Sequence, residues 1–147
     1  MTVGEVSRRP VVTADPDESI VEVACRMRDE HVGDVVVVDK QRRPVGMLTD
    51  RDIVVSVVAQ SPDKIDTLLV SDVMTANPMT ARVTEEVDEA VSRMRARGVR
   101  RLPVVELDGR LEGIVTFDDL LKVMFVQLSE LVGLVVRERR MEEVARP

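Results

Sequence analysis

The sequence predicts a mixed α+β (α/β) fold: two β-α-β-β-α units in tandem, followed by an extended C-terminal helix. Three observations lead there. The stretch Gly46-Met47-Leu48-Thr49-Asp50-Arg51-Asp52 returns 67 positions on as Gly113-Ile114-Val115-Thr116-Phe117-Asp118-Asp119. Each copy follows an apolar, β-branched run and precedes a helix-like run, Ile53-Val54-Val55 in the first and Leu120-Leu121-Lys122 in the second. From Leu120 to Val136 the chain is then apolar on nearly every side.

In order, Val11-Val12-Thr13 is a short β-prone run, and Asp15-Pro16-Asp17-Glu18-Ser19 is a turn leading into a helix. That helix, from about Ser19 to Glu30, carries Ile20, Val23, Ala24 and Met27 on one face. Asp34 to Val38 is too uniformly β-branched to be half-exposed and reads as a buried strand. Lys40 to Pro44 is the turn and Val45 to Leu48 the return strand, which delivers the chain to Thr49 and a helix from about Asp50 to Ala59. Gln60 to Thr67 is a polar connector containing Pro62.

The pattern then repeats. Pro78-Met79-Thr80 matches the first strand, and Glu86 to Arg97 matches the helix, with Glu89 on Glu22, Arg93 on Arg26 and Met94 on Met27. Val104 and Val105 fall on Val37 and Val38, and Arg110 on Arg43. The period is too long and the copies too few for a solenoid. Two units that cannot each bury both faces of a sheet pack against one another. The expected divisions are 1–67 for the first unit and connector, 68–126 for the second unit and 127–147 for a helical tail. Leu120 to Val136 has no wet face and reads as a homodimer interface.

Net charge is -6 and the pI is acidic, which argues against nucleic acid and anionic membranes as partners. With no Trp or Tyr and only Phe117 and Phe125, there is no base-stacking platform. Cys25 stands alone, so no disulfide is expected within the chain, and Met1 to Pro10 has no apolar leader core; the expected location is cytoplasmic. No Ser/His/Asp set, metal-ligand cluster or phosphate-cradling glycine loop points to an enzyme. His31 reads as a helix C-terminal cap or cation. Taken singly, Thr-x-x-Asp is a capping box: the hydroxyl and the carboxylate satisfy free N–H groups at a helix start.

Two tandem units, each ending in Gly-x-x-Thr-x-x-Asp, with the lead-in Asp72-Val73-Met74-Thr75 and the run Gly98-Val99-Arg100-Arg101-Leu102-Pro103-Val104-Val105, resemble a pair of CBS domains. The resemblance covers roughly Val3 to Val126. It implies two units packed through their sheets about a pseudo-twofold axis, with two clefts for adenosyl ligands such as AMP, ADP or ATP, and NAD or S-adenosylmethionine as further candidates. In such a module the aspartate takes the ribose hydroxyls, as an acceptor-only carboxylate suits, and the threonine lies on the phosphate side.

Carried over, a main nucleotide cleft uses Met47, Thr49, Arg51 and Asp52, facing Met79, Val99, Arg100 and Arg101. The second uses Ile114, Thr116, Asp118 and Asp119, facing Val11, Val32, Gly33 and Asp34. Arg51, Arg100 and Arg101 can meet phosphate, whereas Asp118 and Asp34 repel it. The expectation is therefore that nucleotide goes to the Asp52 cleft, and that the Asp119 cleft takes a less anionic adenosyl compound or none. Val36, standing where the second unit has Pro103, and the non-basic His31-Val32-Gly33-Asp34 depart from the pattern on that side. No catalytic residue, metal or prosthetic group is expected. The implied role is a non-catalytic sensor that regulates a protein partner. The alternatives are a structural oligomerisation module and an enzyme acting on an adenine nucleotide.

Overall fold

The structure, a computed structural model, describes residues 1–146. A four-stranded sheet runs in the order β1 (Thr13–Ala14), β2 (Asp34–Val38), β3 (Pro44–Thr49) and β4 (Thr75–Ala76). A three-stranded sheet runs β5 (Ala81–Arg82), β6 (Arg101–Val105) and β7 (Leu111–Thr116). In each, the first strand lies parallel to the second and the hairpin is antiparallel, with a register irregularity at Val37/Val38 and again at Val104/Val105. The two bulges are 67 residues apart, so the repeat extends to the irregularities of the backbone.

Helix α2 (Ile20–Glu30) starts where the Ser19 hydroxyl accepts the Glu22 N–H at 3.1 Å, and it buries Ile20, Val23 and Met27. It ends at His31, whose φ of 54° is left-handed and whose N–H closes on Arg28 and Met27. Helix α5 (Val87–Arg97) ends the same way at Gly98, φ 66°. His31 is thus the cap that the sequence suggests, in a conformation that glycine adopts more readily.

Three local expectations are corrected. Strand β5 begins at Ala81, not at Pro78. In the first unit the Val36 N–H donates to Val12 at 3.2 Å and Thr13 pairs with Val36. Pro103 has no N–H, so the second unit's parallel pairing starts one residue later, at Ala81 and Val104. The helix expected over Asp50 to Ala59 is a single α turn, α3 (Asp50–Asp52), followed by a π-helix over Ile53–Val58, where Ala59 N–H reaches back five residues to Val54. All its residues but Ser56 are β-branched, and these crowd the tighter α spacing. The polar connector holds a 3₁₀ turn, Pro62–Lys64.

The lead-in segments cross over. Short helix α1 (Val3–Val6) packs Val3, fully buried, into the core of Ala81, Ala90, Met94, Leu102, Val104, Val115 and Leu120. Short helix α4 (Val70–Val73) packs Val70 into the core of Ile20, Val23, Val35, Leu48 and Val57. Matching backbone bonds hold both: Val3 N–H to Glu85 and Val87 N–H to Met1 in one, Val70 N–H to Glu18 and Ile20 N–H to Leu68 in the other. Each half of the chain therefore supplies one buried valine to the other half's core.

A third cluster, Val36, Val38, Leu111 and Ile114 with Val11 and Met47 against it, joins the two sheets. Beside it Asp34 and Arg101, residues at equivalent repeat positions, form an ion pair of 3.2 Å. Equivalent positions meet only across a pseudo-twofold axis, so this contact marks where that axis runs. The last element, α6 (Phe117–Ala145), is one unbroken 29-residue helix of which only Leu120 is buried. No helix among the described residues is long and apolar enough to cross a membrane.

Candidate functional site

Both repeated motifs close reciprocal capping boxes. Thr49 N–H donates to Asp52 Oδ2 at 2.9 Å while Asp52 N–H donates to Thr49 Oγ1 at 3.1 Å. At the second copy Thr116 N–H reaches Asp119 Oδ2 at 3.3 Å, Asp119 N–H reaches Thr116 Oγ1 at 3.2 Å, and the Thr116 hydroxyl donates to Asp119 Oδ2 at 2.8 Å. The residue preceding β2 or β6 ties down each helix start: Asp50 N–H to Gly33 O at 2.8 Å, Phe117 N–H to Arg100 O at 2.7 Å. A Cβ on Gly33 would lie 3.1 Å from the Asp50 carboxylate, an exposed group that would have to shift by a few tenths of an ångström.

The two carboxylates differ in what else they hold. Arg8 Nε donates to Asp119 Oδ2 at 2.9 Å; the arginine side chain is 62% exposed and the aspartate 12%. Arg8 is placed by its own backbone, which exchanges N–H···O bonds of 2.8 and 3.2 Å with Ile114 and so extends the β7 edge. On the other edge Thr75 sits in strand β4 beside Met47, one repeat on from Arg8. A threonine cannot form that ion pair.

A cavity of about 470 Å³ opens at the Asp119 end, within the size range of small-molecule sites. Gly33, Asp34 and Asp50 of the first unit line it, together with Arg8, Arg100, Arg101, Thr116, Phe117, Asp118, Asp119 and Lys122. Four cations confront four carboxylates. Besides Arg8–Asp119, Arg101 pairs with Asp34 at 3.2 Å, and Arg100 lies 3.8 Å from Asp118 with its guanidinium 5.1 Å from the centre of the Phe117 ring.

Five of the eight residues expected in the second cleft line this cavity: Gly33, Asp34, Thr116, Asp118 and Asp119. Ile114 and Val11 belong to the adjoining inter-sheet cluster, and Val32 packs on the first core. The residues expected in the main cleft are placed as follows. Met47 lies in the inter-sheet cluster, Met79 and Val99 pack on the second core, Arg51 is exposed, and Thr49 and Asp52 cap their helix.

Arg100 and Arg101, expected to face Asp52, line the Asp119 cavity. β6 and β7 are antiparallel with Arg101 opposite Thr116, and the Arg101–Asp34 ion pair lies where the two units meet. Sequence reading missed Arg8, Asp50, Phe117 and Lys122. Carrying the 67-residue offset back to Val3-Gly4-Glu5-Val6, which matches Val70-Ser71-Asp72-Val73, brings Arg8 into the repeat and is the signal that finds it. Among the described residues no group of three or more His, Cys, Asp or Glu could hold a metal ion.

Residues 3–59 and 70–126 each match the family model of the CBS domain. An uncharacterised protein of Methanopyrus kandleri is 43% identical over 123 residues, covering 84% of this chain and 62% of its own length. The chain thus spans under two thirds of that relative. Among solved structures, the CBS domain pair of protein MJ0100 in complex with 5′-methylthioadenosine and S-adenosyl-L-methionine superposes with a TM-score of 0.75 at 28% identity, over 86% of this chain and 98% of that one. CBSX2 in complex with AMP gives 0.73 at 26% identity, over 87% and 98%.

Proposed function

This chain belongs to the CBS domain family and carries two CBS repeats, and from that premise we propose that it is a non-catalytic cytoplasmic sensor of an adenosyl ligand. AMP, ADP or ATP fit best, with NAD and S-adenosylmethionine as further candidates. The observation that carries the reading is the cavity in which a largely buried carboxylate, Asp119, stands among Arg8, Arg100, Arg101 and Lys122. A cis-diol donates two hydrogen bonds to such a carboxylate, and guanidinium groups take phosphate oxygens in paired bonds.

The same ion pairs give the site a way to act. Ribose competes with Arg8 for Asp119, and the freed guanidinium turns to the phosphate while its backbone stays on the β7 edge. Phosphate also competes with Asp34 for Arg101, and that pair bridges the two units at the pseudo-twofold axis. Occupancy thus loosens a contact between the units, and the change in cleft or dimer geometry is what a protein partner reads. Coupling of this kind requires different ligand affinity in the two states, typically about 1–3 kcal/mol.

Thermal melts with AMP, ADP, ATP, NAD, S-adenosylmethionine and GTP test the reading. Ligand at one hundred times its Kd adds about 2.7 kcal/mol of stability. The Asp119→Ala variant loses that gain and Asp52→Ala keeps most of it. No shift with any adenosyl compound leaves the structural oligomerisation reading, which the exposed apolar surface of α6 favours.

A further inference from the structure

A second cavity, of about 490 Å³, lies at the hairpin ends of the two sheets and shares no lining residue with the Asp119 cavity. Leu111 lines the one and Thr116 the other, and the run of strand β7 between them is about 17 Å long. The inter-sheet cluster that includes Val36 and Ile114 packs along that stretch.

Three separate segments bring charge to this cavity. Arg9 comes from the lead-in to β1, Arg42 from the β2–β3 turn, and Glu106 and Arg110 from the β6–β7 turn. Backbone ties the hairpins together, with the Leu111 N–H donating to Arg42 O at 2.8 Å. Arg9 and Glu112 form one wall as an ion pair of 3.0 Å. Arg110 bonds Asp108 through Nε at 2.9 Å, which leaves its terminal amino groups for another acceptor. Arg42 and the half-buried Glu106 have no ion-pair partner among the described residues. Pro10, Val11 and the buried Leu111 add an apolar strip.

The repeat does not account for these charges. One repeat away, Arg9, Arg42 and Glu112 correspond to Ala76, Gly109 and Val45, so the other unit forms its hairpin without them. Arg42 also holds a φ of 60° where Gly109 holds 85°. Glycine adopts that left-handed backbone freely, whereas arginine is strained in it. A strained residue at the edge of a cavity directs attention to what the cavity binds.

A guanidinium, a carboxylate and an apolar strip in one cavity match the carboxylate, ammonium and hydrocarbon of an amino acid. Guanidinium groups take a carboxylate in paired bonds, and a glutamate accepts from an ammonium. A simple anion meets Glu106 and Glu112 unfavourably. We propose that this cavity is a second small-molecule site, for a free α-amino acid with an apolar side chain. Arg42 and Arg110 take its carboxylate, Glu106 its ammonium, and Pro10, Val11 and Leu111 its side chain. The assignment goes beyond the nucleotide reading and does not depend on it.

Calorimetric titration of the full chain with L-leucine, L-methionine and L-phenylalanine at millimolar concentration tests it. At least one of them binds. Isocaproate, which is leucine without the ammonium, and isoamylamine, which is leucine without the carboxylate, do not. Arg42→Gly installs the residue that the second unit already has, so it keeps the fold, and it weakens amino-acid binding about tenfold, as loss of a charged hydrogen bond does. Glu106→Gln weakens it to a similar degree. Saturating AMP and the Asp119→Ala variant leave it unchanged. Failure of all three amino acids to bind the wild-type protein, equal binding of isocaproate, unaltered affinity in Arg42→Gly, or displacement by AMP each overturns the proposal. Amino-acid binding by a protein that takes up no AMP removes the nucleotide reading and leaves this site standing.

Discussion

Removing the Arg8 side chain separates two effects that the cavity combines. Two unit charges about 4 Å apart near a protein surface attract by about 4 kcal/mol before solvation and side-chain entropy are counted. With Arg8 62% exposed, screening leaves about 1 kcal/mol for its 2.9 Å bond to Asp119. A ligand that needs Asp119 must first displace that bond. For adenosine, which has no phosphate, Arg8→Ala therefore strengthens binding by about 1 kcal/mol, or about fivefold. For ATP the freed guanidinium would have bonded phosphate, a charged hydrogen bond worth about 2 kcal/mol. Its loss outweighs the release of Asp119 and leaves binding about fivefold weaker. The backbone of residue 8 keeps its two bonds to Ile114, so the β7 edge stays intact in the variant. Calorimetric titration of both proteins with both ligands reads the crossing. Shifts of the same sign for adenosine and ATP, or no shift for either, refute the idea that Arg8 competes with ribose.

Other perturbations report on the scaffold. His31→Gly relieves a left-handed residue where the second unit already has Gly98, and stability rises by about 1 kcal/mol, about 2–4 °C in Tm for a chain of this size; an unchanged Tm refutes that account of the cap. Gly113→Ala places a methyl 2.8 Å from the Ser7 hydroxyl and 3.1 Å from the Arg8 carbonyl, so it costs about 1–3 kcal/mol. It also raises amide exchange across Val3–Arg8; full protection there contradicts the close approach. In the β6–β7 turn the Arg110 backbone N–H, 3.0 Å from Asp108, and then the Arg110 guanidinium hold the Asp108 carboxyl below the ordinary carboxylate range. That contribution to turn stability is present at neutral pH and lost as pH falls through the lowered value. The Arg110 amide resonance in an acid titration follows it, and an insensitive resonance removes the bond.

The repeat made most of the fold legible, because it doubles every signal. Alternating helix faces, β-branched runs and the Thr-x-x-Asp caps each occur twice at one offset, and the strands and helices of both units lie where those patterns put them, give or take the effect of Pro103 on β5 and of the β-branched run on the helix after Thr49. The site was legible in its residue types and less so in its grouping. Asp119, Thr116 and Asp34 share a cavity because helix starts and strand starts meet at one end of each unit. The placement of Arg100 and Arg101 depends on hairpin register, which pairs Arg101 with Thr116, and on the packing of the two units, which brings Arg101 to Asp34. Motif spacing alone does not carry that information. Nor does a four-residue helix such as α1 say in its sequence which of two cores its one buried valine enters.

That reciprocal loan of valines binds the folding of the two halves together. A ribosome adding roughly 5–20 residues per second completes the pocket for Val3 only after Leu120 has emerged, so the first turn of the chain waits, unshielded, for many seconds. A break in the connector near Thr67 parts Val70 from the helix that leads to its pocket and strands Val3 on the wrong fragment. The molecule is one clasp with two jaws, and neither jaw closes without the other.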